Sequence, residues 1–297
     1  MLTTLSPSEW QARAQHHRAR VLPWVEPRLE RRRRGDSDPV DDFLFTYYSF
    51  RPAQLLTWHP GLGVACDGAD ELLGRRGYVQ TPHGVTVDTA ALPERRTTAR
   101  WVVDLLERMH ERPATFGCFG VHEWAMVHGL EPVEIRHASW PLRLEPGQIA
   151  DVVEDLGARC THFDAFRFFT ETARPLNAHQ LTRSDQPDFE QRGCLHAGMD
   201  LYKWAYKLSP LTSSELVADC FELAREIRTV DMRASPYDLR DLGLEPIAIE
   251  TPGGRAEYVE RQRSFTERAE PLRARLLTEA KAIATHFDAG SGVLSRA

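Results

Sequence analysis

The sequence predicts a mainly α-helical fold: a compact multi-helix domain with a small β hairpin and short strands. Three observations carry that expectation. Apolar residues recur at helical spacing through several long segments, capping residues and prolines punctuate their ends, and one glycine-rich stretch switches to short alternating runs. At 297 residues the chain can bury a substantial core, and it reads as a single domain over residues 1–288 with a flexible tail at 289–297.

The first helix opens at Ser6-Pro7-Ser8-Glu9, with Ser6 as cap, Pro7 at the first helical position and Glu9 at the third. It is expected to run to Arg20, falter at Pro23 and Pro27, and stop at Gly35. Asp38-Pro39 caps a second helix, Val40 to Trp58, whose Phe43, Leu44, Tyr47, Tyr48 and Leu55 mark it as buried. Gly77 to Gln80 and Val85 to Val87 read as a hairpin. A third helix starts near Pro93, with Trp101, Val102, Leu105, Leu106 and Met109 on one stripe, and Pro113 ends it. Phe116 to Val127 reads as a buried helix, Val133 to Ile135 as a short extended run and Ile149 to Leu156 as a short helix. Arg174 to Arg192 is polar and aperiodic, a loop of the length that usually serves function. Helices are expected again at Leu195 to Leu208 and Ser213 to Thr229, a strand at Glu245 to Thr251, a turn at Gly253-Gly254, and a long charged helix from Arg255 to Phe287.

Composition excludes several classes. Hydrophobic residues at 42% and charged residues at 27% suit a globular chain and not a disordered one. No apolar run approaches the ~20 residues that span a bilayer, so no membrane partner is expected. Residues 1–20 lack an apolar stretch of secretory type. Five scattered cysteines without a CxxC pair argue against a disulfide framework or a zinc ribbon and for reduced thiols in a cytoplasm. Net charge is -6, yet Arg28 and Arg31 to Arg34 form a local basic cluster. That cluster reads either as a helix end complementing the macrodipole or as a phosphate-contacting patch.

Three segments concentrate chemistry. In Cys160-Thr161-His162-Phe163-Asp164-Ala165-Phe166-Arg167-Phe168-Phe169, an imidazole and a carboxylate lie among aromatics, whose desolvation shifts pKa values as acid–base work requires; an aromatic core with one internal His–Asp pair is the alternative. In Cys194 to Trp204, His196, Asp200, Lys203 and Lys207 form one helical stripe beside Tyr202, where Lys203 suits a nucleophile, a general acid or an anion anchor, or else a surface ion pair. In Val121 to His128, Glu123 sits in an apolar helix and needs a partner, with Arg136, Arg143, Arg159 and Arg167 as candidates. Glu123, His162, Asp164, His196 and Asp200 together are also a candidate ligand set for a divalent metal, although no Glu-x-x-His or HExxH pair is present. Asn177 and Arg183 belong to a donor-rich loop able to close over a polar substrate. Cys160 and Cys194 each precede a histidine by two residues, a weak signal for thiol catalysis.

Asp42 to Tyr48, Cys160 to Phe169 and His196 to Trp204 carry a resemblance over nearly the whole chain to an actinobacterial family commonly labelled 3-methyladenine DNA glycosylase. The resemblance implies an enzyme removing alkylated purines from damaged DNA, but brings no catalytic residues to transfer. His59-Pro60-Gly61-Leu62-Gly63 is the nearest match to the hairpin of helix-hairpin-helix glycosylases, lacks a clear second helix after it, and reads more simply as a helix-terminating turn. Base excision needs an aromatic pocket and a carboxylate.

Three readings follow. A glycosylase would use Asp164 or Asp200, with His162, His196 and Lys203 in support, and Phe166, Arg167, Tyr202, Asn177 and Arg183 on the substrate. A metal-dependent helical oxidoreductase or hydrolase would act on a small molecule through the His/Asp/Glu cluster. A binding protein would keep the three clusters apart and internally paired.

Overall fold

The computed structural model describes residues 2–135 and 140–291. It is 59% helical, with eleven α-helices and one four-stranded sheet among the described residues, so the fold is mainly α with a small sheet. No described helix is long and apolar enough to cross a membrane. The residues gather into two compact units, one built from residues up to Glu107, Asp200–Arg225 and those from Glu270 on, the other from Arg108–Met199 and Glu226–Ala269.

The first unit opens with strand β1 (Thr3–Leu5) and helix α1 (Pro7–Arg34). Ser6 starts α1 as expected: its backbone N–H donates to Glu9 Oε2 at 2.8 Å, and Pro7 occupies the first turn, where its missing N–H is harmless. Pro23 and Pro27 do not interrupt the helix, contrary to expectation. Val21 and Val25 on the same stretch are fully buried, so tertiary packing holds the backbone helical past two lost hydrogen bonds. Gly35, at φ 78°, ends α1 in the left-handed conformation.

The expected long helix over 40–58 is instead two short ones, α2 (Phe43–Tyr47) and α3 (Pro52–Leu55). Pro52 drives Arg51 into extended backbone (φ −70°, ψ 152°), which a continuous helix cannot accommodate. Strand β2 (Val64–Cys66) follows Gly63 directly, so the Pro60-Gly61 turn is not flanked by two helices. The expected hairpin is present as β3 (Tyr78–Thr81) and β4 (Gly84–Val87). Sheet order is β1-β2-β4-β3, with β1 parallel to β2 and the other pairs antiparallel. Gly84, at φ 109°, is required: a Cβ there would stand 2.5 Å from the Cys66 carbonyl oxygen. The sheet packs its Cys66 and Val85 against Trp10, Trp58 and Leu72.

Helix α4 (Glu94–Glu111) matches the third predicted helix. In the second unit come α5 (Val121–Ala125), α6 (Pro146–Leu156), α7 (Phe163–Phe166) and α8 (Gln186–Phe189). Only the last part of the segment 116–127 is helical, because Phe119 and Gly120 both take positive φ before α5 begins. Pro132–Glu134 is a single 3-10 turn and not the expected extended run. The polar stretch 174–192 is not one loop but two 3-10 turns followed by α8. Helices α9 (Leu195–Leu208), α10 (Ser214–Arg233) and α11 (Pro252–Ser291) each contribute residues to both units.

The strand expected at 245–251 does not form. Its Ile247 N–H is taken by the Arg233 carbonyl at the end of α10, so the segment has no strand partner to pair with. Gly253-Gly254 lies inside α11 and is not a free turn; a Cβ on Gly254 would meet the Ala248 oxygen at 1.9 Å. Of the tail 289–297, residues 292–297 lie outside the described residues, and Arg136 does too.

The arginines at the end of α1 are tied down locally. Arg28 Nη1 and Arg31 Nη2 donate to the two oxygens of the buried Asp42 carboxylate at 2.8 and 2.6 Å, and Arg34 pairs with Asp36. Arg31 to Arg34 fill the last turn of α1, a position that complements the macrodipole. Burial works against the Asp42 carboxylate, but the Arg31 bond, the Asp38 N–H and the charges of Arg31 and Arg28 together outweigh it and hold the group below the usual range. Asp42→Asn is expected to cost roughly 1.5–3 kcal/mol in urea denaturation at neutral pH. Because the folded-state pKa is depressed, the difference from wild type should shrink as pH falls below about 4 and the wild-type carboxylate itself protonates.

Candidate functional site

The second unit gathers a buried polar cluster from five places in its sequence. Two left-handed residues in succession, Phe119 (φ 46°) and Gly120 (φ 75°), swing the chain onto α5, which buries His122 and Glu123. A left-handed phenylalanine is strained, and such strain persists where the surroundings fix it. The C-terminal part of α10 brings Arg228 and Asp231, one helical turn apart. The first turn of α9 brings His196. His162 caps the start of α7, and Glu190 follows α8.

The geometry is a row of three imidazoles with a carboxylate at each end. His122 Nε2 lies 3.1 Å from Asp231 Oδ1 and 3.2 Å from Oδ2. The His122 and His196 rings meet edge to face at 4.4 Å, and His196 stacks on His162 at 5.3 Å. His162 Nε2 is 3.2 Å from Glu190 Oε1, an oxygen that also accepts from Gln186 Nε2. Arg228 Nη1 donates to Glu123 Oε1 at 2.7 Å and stands 3.5 Å from Asp231 Oδ2. Asp231 and Glu190 are wholly buried, and His162 nearly so.

Glu123 and Asp231 thus share the Arg228 guanidinium, while Glu190 faces His162 at the other end of the row. The titrations follow. Burial disfavours the His122 imidazolium, but Asp231 more than compensates and raises its pKa. Burial likewise opposes the Asp231 carboxylate, while His122, His196 and Arg228 keep it well below the usual carboxylate range.

One ligand atom each from His122, His196 and Asp231 lies within 4.8 Å of the other two, a grouping able to hold a metal ion. His122 and His196 also line a cavity of about 510 Å³ with Arg159, His179, Gln191 and Tyr258. The Tyr258 hydroxyl, fully buried on α11, has no hydrogen-bond partner among the described residues, and a buried hydroxyl in that position awaits a ligand or a water. Cys118, Cys160 and Cys194 line the same cavity, but burial raises all three thiols, Cys160 to about 12. None is poised as a thiolate nucleophile.

The sequence-selected residues divide between the two units. His162 and His196 stand side by side, and Glu123 is paired by Arg228, an arginine absent from the expected candidates. Asp164 is buried, with Arg167 Nε at 3.3 Å and Arg183 Nη2 at 3.6 Å, and is not among the cavity-lining residues. Phe166 packs on Phe169, Arg167 lies over Phe168 and Arg183 over Phe163. Asn177 is a bracket: its oxygen accepts from the Cys160 N–H at 2.7 Å and its nitrogen donates to the Cys160 carbonyl at 3.0 Å, fixing the segment that leads to His162. In the first unit, the buried Asp200 accepts from Tyr48 Oη at 2.9 Å and from Lys203 Nζ at 2.6 Å, and Tyr202 is fully buried against Tyr48 and Phe221. His122, Asp231, Arg228, Glu190 and Tyr258 are not among the residues the sequence singles out, although His122 adjoins Glu123. A signal existed for Asp231, which continues the buried α10 stripe of Cys220, Ala224 and Ile227.

Two outcomes are expected. Arg228→Met should cost roughly 3–5 kcal/mol in urea unfolding by stranding Glu123 and Asp231, and adding Glu123→Gln should restore part of the loss. Iodoacetamide at pH 8 should leave Cys160 and Cys194 unmodified in the native protein while labelling both in the unfolded chain.

Comparison with protein-family models, with curated proteins and with solved structures finds no match.

Proposed function

We propose that this chain is a metal-dependent enzyme acting on a small polar molecule, with His122, His196 and Asp231 as the ligand set. The observation that carries it is the approach of these three side chains within 4.8 Å, with His122 and His196 at the wall of a cavity. Two imidazoles and a carboxylate suit zinc, iron or manganese. The 3.1 Å between His122 Nε2 and Asp231 Oδ1 matches the spacing of neighbouring ligands on one ion, roughly 3–3.4 Å when each bond is about 2.1 Å. The buried Asp231 carboxylate supplies an anionic ligand for a cation in the same place.

A divalent ion bound there would polarise a substrate oxygen or activate a water. The chain's own residues do the remainder. His162, backed by Glu190 and stacked beside His196, holds and moves a proton within reach of the cluster. Tyr258 offers a hydrogen bond from the cavity wall, and the exposed Arg159 at its lining suits an anionic group on the substrate. The small-molecule class follows from a cavity of this volume, which is within the range of small-ligand sites. Excision of methylated bases is the competing reading, and its chosen carboxylates are both engaged, Asp164 by two arginines and Asp200 by Tyr48 and Lys203.

Metal analysis with calorimetric titration of zinc and manganese into chelator-treated protein tests the proposal. About one ion per chain is expected, with affinity falling more than about tenfold in His196→Gln and in Asp231→Asn, folding being checked by circular dichroism. Affinity should weaken as pH falls, because the proton that Asp231 favours on His122 competes with the ion. Absence of binding, or variants that bind like wild type, would contradict it. Chelator-insensitive release of methylated bases from alkylated DNA, lost in Asp164→Asn or Asp200→Asn, would establish the competing reading.

A further inference from the structure

The first unit holds a second cavity, of about 620 Å³, with a different character. Its wall carries Arg75, Arg76, Arg95 and Lys207 together with His59 and Gln54, and no aspartate or glutamate is among the described lining residues. In a chain of net charge -6 this is a local reversal of sign. Arg76 is neutralised by a neighbouring carboxylate, through its 3.1 Å contact with Glu94. Arg75 has no ion-pair partner among the described residues, and the half-buried Arg95 keeps its Nε without a hydrogen-bond partner.

The uncompensated charge is felt by its neighbours. His59, whose Nδ1 contacts the Tyr78 hydroxyl at 2.7 Å, is pushed down to about 4 by burial and by Arg75. Arg95 is lowered by burial and by Arg76, against the pull of Glu94. Cations gathered in a recess attract anions, and several together match a multiply charged one. Guanidinium groups present planar pairs of N–H donors that fit phosphoryl oxygens. Phe50 and Tyr206, stacked at 4.9 Å, and Leu92 add an apolar face for the rest of such a molecule.

We infer that this cavity is a binding site for the phosphoryl group of a small molecule, with Arg75 and Arg95 as the principal contacts. It shares no lining residue with the cavity beside the histidine cluster, so it stands whether or not a metal binds there. A concave recess of this size suits a compact anion, whereas duplex DNA calls for an extended basic surface.

Calorimetric titration of the full-length protein with inorganic phosphate and with pyrophosphate at low ionic strength tests this, with sodium sulfate and sodium chloride as ionic controls. Saturable binding is expected, tighter for pyrophosphate than for phosphate, absent for chloride, and weakened at least about tenfold in each of Arg75→Gln and Arg95→Met. Arg75 is exposed, so Arg75→Gln keeps the test valid should Arg95→Met unfold the chain. The inference is overturned by an absence of saturable binding of either phosphate probe, or by binding that both substitutions leave unchanged. It is equally overturned if a short DNA duplex binds more tightly than pyrophosphate and loses that binding in the same variants.

Discussion

Arg228 is the constraint on which the second unit's polar interior depends. Its guanidinium stands 2.7 Å from Glu123 and 3.5 Å from Asp231, and all three side chains are buried. A buried carboxylate without such a partner is unfavourable by several kcal/mol, more than most single apolar contacts return. One arginine therefore allows two acids to sit where the core would otherwise demand aliphatic residues. With both acids in place, His122 acquires a carboxylate to face and His196 a histidine to pack against. The chemistry of the row of imidazoles is thus a consequence of how one cation distributes its charge.

Backbone devices hold that row in register. The strained Phe119–Gly120 turn aims α5 inward, and Gly120 sits so close to Tyr258 that a Cβ would meet its ring at 3.2 Å. Asn177 clamps both backbone groups of Cys160 two residues before His162. Arg112 donates to the Glu190 carbonyl at 2.7 Å and so fixes the chain just after α8. Each device acts on the segment beside a histidine or acid of the cluster. A site whose supports are locked in this way loses little entropy on binding a ligand.

Local signals in the sequence foretold most elements and few of their interruptions. Ser6, Pro7 and Glu9 announced α1, and Leu195 to Leu208 was read to the residue, because cap chemistry and periodicity act over a few positions. The passage of α1 through Pro23 and Pro27 was not legible, since it depends on what Val21 and Val25 pack against. The break at Arg51 was legible in principle from Pro52, but the aromatic stripe masked it. Residues 245–251 read as a strand by composition alone, and only the tertiary fold shows that their hydrogen bonds go to the end of α10. In the candidate site, His162 and His196 stood out as histidines in aromatic or polar company. Asp231 hid in an ordinary amphipathic helix, and Glu190 in a polar stretch with no period. Acids become conspicuous only when burial gives them meaning.

On the proposed function, His122, His196 and Asp231 share one metal ion. The most direct measurement is the visible absorption spectrum of the chelator-treated protein titrated with cobalt(II). Ligand-field bands should grow to a sharp end point near one equivalent and fail to develop in His196→Gln and Asp231→Asn. A spectrum no different from cobalt in buffer, or bands that persist in both variants, would contradict the claim.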